Sequence, residues 1–192
     1  MTETQPSSMS EAKDRIITSD IAGASELEKL YLCLSRMVGL HRQLYEVCKQ
    51  EREAFIAADT RQILEQTSAK ELVIETIRHA EADRIRISTL LASIWKRPLS
   101  DLTLNFIIQE IEPEDAKGAE RFRSSLTALT VLIERAKKLN ASNRDFVEQS
   151  LEHVRAMKKN VLGESVPQTD TYSNQGQKLA QTGGARLLST EA

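Results

Sequence analysis

The side chains best suited to chemistry are few, and they are widely spaced along the chain. The three histidines are His41, His79 and His153. No cysteine or carboxylate accompanies any of them at a metal-ligand spacing. Asp83, one helical turn from His79, favours only a surface pair. Cys33 and Cys48 form no Cys-x-x-Cys motif. Two isolated cysteines of this kind are typical of reduced thiols in a cytoplasmic protein. The sequence therefore predicts neither a metal site nor a cofactor.

Other catalytic signals are also missing from the sequence. Gly183-Gly184 follows no strand, as a phosphate-binding loop would, and no Ser or Cys lies in a nucleophile turn motif. Carboxylates alternate with Lys and Arg as they do on solvated helix faces. The net charge of -2 gives no basis for nucleic-acid binding. No apolar run reaches the ~20 residues of a membrane span, and no signal-peptide pattern opens the chain. We expect a cytoplasmic protein that is not an enzyme and does not insert into membranes.

The composition indicates which elements the chain forms. Charged residues make up 28% of the 192 residues and aromatic residues only 4%, with seven Gly and four Pro to supply turns. This composition favours a few long helices over sheets. The prediction is an all-α fold: an elongated antiparallel bundle or coiled-coil hairpin of three long helices plus a short one, with disordered termini.

The predicted helices cover residues 27–57, 60–96, 101–111 and 113–162. Ser25 with Glu28, and Asp59 with Gln62, form capping pairs at the first two helix starts, and Pro98 ends the second helix. The pattern does not decide whether the chain breaks or bends at Asp59. Segment 101–111 is apolar nearly all round, which favours burial over docking. Residues 1–25 are predicted to be mostly disordered, and residues 163–192 to be a disordered docking tail.

The last helix, which opens near Pro113, carries a coiled-coil seam with a polar interruption. The seam consists of Phe122, Leu126, Leu129, Ile133, Ala136, Asn140, Asn143, Val147, Ser150, Val154, Met157 and Val161. Leu132, Leu139 and Phe146 flank it, one heptad apart. Asn140 and Asn143 have two interpretations from spacing alone. They control register between helices, or they mark a half-polar face that awaits a partner.

The order of motifs in the C-terminal half resembles the FlgN family of flagellar export chaperones. The resemblance rests on Leu139-Asn140-Ala141-Ser142-Asn143, then Pro167, then Thr171-Tyr172-Ser173-Asn174-Gln175-Gly176-Gln177 before a Gly-Gly tail. Over residues 27–94 only the pattern fits, including Lys70 in the second helix. The resemblance implies an all-helical, non-enzymatic, cytoplasmic protein. It implies binding to the C-terminal helical segments of hook-filament junction (hook-associated) proteins, protection from premature association, and delivery to the membrane export gate.

On this resemblance the client face is expected on the last helix, and the two asparagines are interpreted as functional. The expected contact residues are Leu132, Ile133, Leu139, Asn140, Asn143, Phe146, Val147 and Leu151. Tyr172 and its neighbours, including Gly176, are assigned to docking on the client or on the export gate. The alternative is a structural coiled-coil or adaptor protein that self-associates through the same seam. A weaker alternative is a phospho-signalling adaptor with His79 or His153 as acceptor.

Overall fold

A computed structural model of the chain describes residues 17, 18 and 21–162, and these form four α-helices. They are α1 (Ala24–Ala57), α2 (Thr60–Ile94), α3 (Leu104–Ile111) and α4 (Ala116–Leu162), with a 3₁₀ turn at Leu99–Asp101. No strand occurs in the described residues, and the prediction of an all-α helical hairpin bundle is confirmed. The tail predicted at 163–192 lies outside them, as do residues 1–16, 19 and 20. The chain divides into two compact units, Met1–Glu148 and Gln149–Ala192, so α4 contributes residues to both.

A tight turn breaks the helix between α1 and α2. Ala58 has φ +50°, and the N–H of Asp59 reaches back to the carbonyl of Ala54 at 3.1 Å, closing the end of α1 as a Schellman motif does. Asp59 then caps α2 as predicted, because its side chain accepts hydrogen bonds from the backbone N–H groups of Arg61 and Gln62. The chain is therefore broken, not bent, at this point.

The two helices joined by this turn run antiparallel. Near the turn, Lys70 of α2 contacts Glu51 of α1 at 2.8 Å. Farther from it, the thiol of Cys33 donates to the carbonyl of Ala80 at 3.4 Å. Residues later in α2 contact residues earlier in α1, as they do in an antiparallel helical hairpin.

Within the first unit, α4 packs on this hairpin parallel to α1. The rings of Tyr31 and Phe122 meet edge to face with centroids 6.0 Å apart. Near the C-terminal end of α1, Arg52 donates to the carbonyl of Ser142 at 3.0 Å. The contacts advance in the same direction on both helices, so α4 is also antiparallel to α2.

An apolar core lies at the end of the bundle where α3 packs. Leu27, Leu34, Leu91 and Phe122 are completely buried there, and α3 adds Ile107, Ile108 and Ile111. The favoured interpretation of segment 101–111, burial, is confirmed. Ile17 and Ile21, inside the stretch predicted to be mostly disordered, are also buried in this core.

Three helix starts differ from the sequence prediction. Gly23, not Ser25, precedes α1; its φ is +82°, and a side chain there would meet Leu91 at 2.9 Å. α3 begins at Leu104, where the hydroxyl of Thr103 accepts from the N–H of Phe106. α4 begins after Asp115, whose carboxylate accepts from the N–H of Gly118 at 2.8 Å. In each case the helix begins within a few residues of the predicted start.

Candidate functional site

Four polar side chains from three helices meet near the α1–α2 turn, and we call them the polar junction. They are Glu51 of α1, Lys70 of α2, and Asn140 and Asn143 of α4. The ammonium group of Lys70 donates to both carboxylate oxygens of Glu51, at 3.0 and 2.8 Å, and to Oδ1 of Asn140 at 2.6 Å. Nδ2 of Asn143 donates to Oε2 of Glu51 at 3.0 Å and to the carbonyl of Cys48 at 2.8 Å.

The polar junction is shielded from water to different degrees. Asn143 is 2% exposed and Glu51 6% exposed, whereas Asn140 lies at the surface. Among the described residues, Oδ1 of Asn143 has no hydrogen-bond donor. Buried polar groups depend on their specific partners, so this network fixes the register of α4 against α1 and α2. The burial and hydrogen bonds of Asn143 favour the interpretation of this residue as one that controls register.

Arg52 extends the contact between α1 and α4 beside the polar junction. Its guanidinium donates to the carbonyl of Ser142 at 3.0 Å and to the hydroxyl of Ser142 at 3.2 Å. The same group lies 4.8 Å from the centre of the Phe146 ring, a cation–π distance. Phe146 is thereby held partly covered on the face where the client was expected.

The structure places the predicted contact residues in three environments. Asn143 is buried, and Asn140 is exposed and bonded to Lys70. The half-buried residues are Leu132, Ile133, Leu139, Phe146 and Val147. Leu151, in the second unit, is 51% exposed. Tyr172 and Gly176 lie outside the described residues, so the structure does not place them.

The seam of α4 changes character after the first unit ends. Phe122, Leu129 and Ala136 are buried. In the described residues of the second unit, the remaining apolar seam residues and Leu151 form what we call the exposed stripe. Its residues and exposures are Leu151 51%, Val154 61%, Met157 53% and Val161 82%. An apolar stripe at helical spacing that stays in water is the surface a second helix would cover.

The histidines of the described residues lie in different surroundings. His79 pairs with Glu75 at 3.4 Å, whereas the expected partner Asp83 bonds Arg86 at 3.0 Å, so that predicted pair is wrong. Half-buried His41 belongs to the first unit and exposed His153 to the second. Burial lowers the pKa of His41, although nearby Glu81 opposes this. Among residues 17, 18 and 21–162, no group of His, Cys, Asp or Glu side chains could hold a metal ion.

The cysteines behave as small buried side chains. Both are free thiols buried on α1. Burial raises the pKa of Cys33 and of Cys48, so the neutral thiol is favoured in each case. A neutral thiol is a poor nucleophile and a poor metal ligand.

Sequence reasoning missed Glu51 and Arg52, although a signal for Glu51 was present. The apolar side of the first helix runs through Cys48 to Phe55, and Glu51 lies between them, three residues after Cys48 on the same face. Lys70 lies on the face of the second helix that also carries Val73 and Ile77, at helical spacing. A carboxylate on one seam and an ammonium group on the next indicate a buried pair, because neither is stable there alone.

In the described residues, the first unit is an all-α bundle, and the part of α4 in the second unit carries exposed apolar side chains at helical spacing. None of the helices in the described part of the chain is long and apolar enough to cross a membrane.

The family model of the FlgN protein matches residues 26–180, so the chain belongs to the FlgN family. This family comprises flagellar type III export chaperones, which bind flagellar hook-associated proteins. No curated protein and no solved structure is significantly similar to the chain.

Proposed function

We propose that the protein is a cytoplasmic, non-catalytic export chaperone for the hook-filament junction proteins. It binds their C-terminal helical segments, keeps those segments from associating early, and delivers them to the membrane export gate. The family membership supports the class of activity. The observation that carries the binding site is the exposed stripe on Gln149–Leu162.

The spacing of the exposed stripe matches a helix-in-groove contact. Leu151, Val154, Met157 and Val161 are separated by three, three and four residues, so they share one helix face. Burying such side chains completely stabilises a complex by about 1.5–3 kcal/mol each, and these are about half exposed or more. The free energy gained when a client helix covers these side chains is enough for binding, and it is small enough for the client to dissociate, as an export chaperone requires.

The half-buried residues of the first unit form another surface that we propose for client binding. Leu132, Leu139 and Phe146 stand one heptad apart, and each keeps part of its surface accessible. We propose that Leu132, Ile133, Leu139, Phe146, Val147 and Leu151 contact the client directly. Exposed Asn140, through its bond to Lys70, and buried Asn143, through its bond to Glu51, support this face, because these bonds hold α4 against the hairpin. Tyr172 and Gly176 are proposed to dock on the client or on the export gate.

The test is binding of a purified hook-filament junction protein to the full chain and to three variants. Val154→Ser/Met157→Ser/Val161→Ser removes most of the exposed stripe, and Leu139→Ala/Phe146→Ala changes the first-unit face. Glu152→Ala/Asn160→Ala is the matched control, since both residues are exposed on the same segment but are not in the stripe.

We expect the stripe variant to lose at least tenfold in affinity, the Leu139/Phe146 variant to bind measurably less, and the control to bind as the parent does. Circular dichroism confirms that each variant folds. Full binding by both folded client-face variants would overturn the site. A chain ending at Gly163 shows whether the tail with Tyr172 adds affinity.

The alternative is self-association through the same stripe. Light scattering on the free chain separates the two functions. A tight homo-oligomer that dissociates in the stripe variant, with no client bound by the parent, would favour the structural coiled-coil protein.

A further inference from the structure

A second surface, distinct from the exposed stripe, lies in the first unit between α1 and α4. It is a groove of about 640 Å³, a size within the range of about 300–1,000 Å³ found for ligand-binding clefts. Leu132, a member of the proposed client face, lies in its wall beside Ala128 and Val131. We call it the arginine groove because Arg42, Arg123 and Arg135 also line it.

The α4 side of the arginine groove is a single helix face against which another helix could pack. Ser124, Ala128, Val131 and Arg135 follow one another at spacings of four, three and four residues, so they form one face beside the buried seam. This face covers about three helical turns, on the order of 16 Å. The middle of this face consists of two small apolar residues, half-buried Ala128 and Val131, which is 42% exposed.

The charge of the groove is positive and partly uncompensated. Its lining holds three arginines and one glutamate, 3 − 1 = +2. Arg123 is neutralised by Glu112 and Glu120. In the part of the chain that the structure describes, Arg42 and Arg135 have no ion-pair or hydrogen-bond partner. Two unpaired guanidinium groups beside an apolar floor are suited to carboxylates, which they bind through paired N–H donors.

We propose that the arginine groove seats an acidic amphipathic segment of the client protein. The segment places a small apolar side chain over Ala128 and Val131, and its flanking Asp or Glu side chains bind Arg42 and Arg135. The inference rests on the proposed function, because it names the chemistry of the same client. A protein carboxylate fits better than a polyanion, since a polyanion site clusters many Lys and Arg, whereas only Arg42 and Arg135 of this lining lack a carboxylate partner in the described residues.

The test compares affinities of the full chain for a purified hook-filament junction protein at two salt concentrations. Arg42→Glu/Arg135→Glu reverses the groove charge. Lys117→Glu/Lys137→Glu is the matched control, with the same change in net charge at two exposed α4 lysines outside the groove. Ala128→Trp fills the floor without changing charge. Circular dichroism and thermal unfolding verify that the variants fold.

We expect affinity to fall at least tenfold in Arg42→Glu/Arg135→Glu and in Ala128→Trp, and less than threefold in the lysine control. The salt dependence of binding should weaken only in the arginine variant. Unchanged binding by both groove variants would overturn the groove while leaving the proposed function intact, provided the stripe variant still loses binding. An equal loss in the lysine control would also overturn it, because net charge alone would then explain the effect. Absence of client binding by the parent chain would overturn both proposals.

Discussion

Replacing Lys70 with Met tests whether the polar junction holds the bundle together near the α1–α2 turn. The substitution removes the ammonium group and keeps most of the aliphatic stem. Glu51 then keeps only the hydrogen bond from Nδ2 of Asn143, at 3.0 Å. Removing one partner of a buried ion pair typically costs about 3–5 kcal/mol, because the other charge stays buried and unpaired. The side chain of Lys70 is 19% exposed, so water reaches the site and we expect about 3 kcal/mol.

The assay is urea unfolding of the full chain, followed by circular dichroism. With a slope of about 2–3 kcal/mol/M, the midpoint should fall by about 1 M or more. Glu51→Gln/Lys70→Met should recover to within about 1 kcal/mol of the parent, because no buried charge then remains without a partner. This recovery separates loss of the charge pair from loss of packing.

Lys138→Met is the matched control for the same assay. Lys138 lies 3.7 Å from Glu134, and the two side chains are 80% and 59% exposed. An exposed pair of this kind contributes less than about 1 kcal/mol. The reasoning would be refuted if Lys70→Met cost no more than this control, or if the double variant were less stable than the single one.

Three further predictions concern local features of the first unit. Ala58→Gly should raise the free energy of unfolding by about 0.5–1 kcal/mol, because Ala58 has φ +50°; an unchanged urea midpoint would contradict this. Burial raises the pKa of Asp115, but hydrogen bonds from the N–H groups of Gly118 and Thr18 outweigh it, and the pKa is lowered overall. Asp115 therefore stabilises the fold above about pH 4 and loses this effect as the pH falls through its folded pKa. Asp115→Ala should cost about 1 kcal/mol at neutral pH, whereas Asp115→Asn should keep most of the cap and flatten the acid limb of the stability profile. Burial also lowers the pKa of His41, so the neutral side chain contributes fully to stability above about pH 6.5, and this contribution is lost on acidification. In urea titrations from pH 7 to pH 5, the free energy of unfolding should therefore depend less on pH in His41→Gln than in the parent.

The helices could be predicted from the sequence because their signals are local. Asp59 can cap a helix that starts at the next residue, and Pro98 keeps a helix from running past it. α2 ends earlier than the predicted residue 96, at Ile94, because Lys96 has φ +52° and the N–H of Arg97 donates to the carbonyl of Ala92 at 3.0 Å. The starts of α1 and α4 were harder to predict. Several adjacent residues could cap each of them, and packing of Gly23 against Leu91 and of Asp115 against Thr18 decides between them.

The environment of the asparagines could not be predicted from spacing alone. Asn140 and Asn143 are three residues apart on one seam, yet one is exposed and the other is 2% exposed. The difference depends on which residues of α1 and α2 face each asparagine, and this is set by the tertiary packing of the helices. Lys70 reaches Asn140, whereas the carbonyl of Cys48 and the carboxylate of Glu51 accept from Asn143.

The most direct test of the proposed function is photo-crosslinking in cells from single positions of the second unit. A photoreactive residue at Val154, in the exposed stripe, should crosslink to a hook-filament junction protein. The same residue at Glu152, exposed on the same segment but outside the stripe, should crosslink much less. Crosslinks from Val154 only to a second copy of this chain, or equal client crosslinking from Glu152, would contradict the assignment of this stripe as the client site.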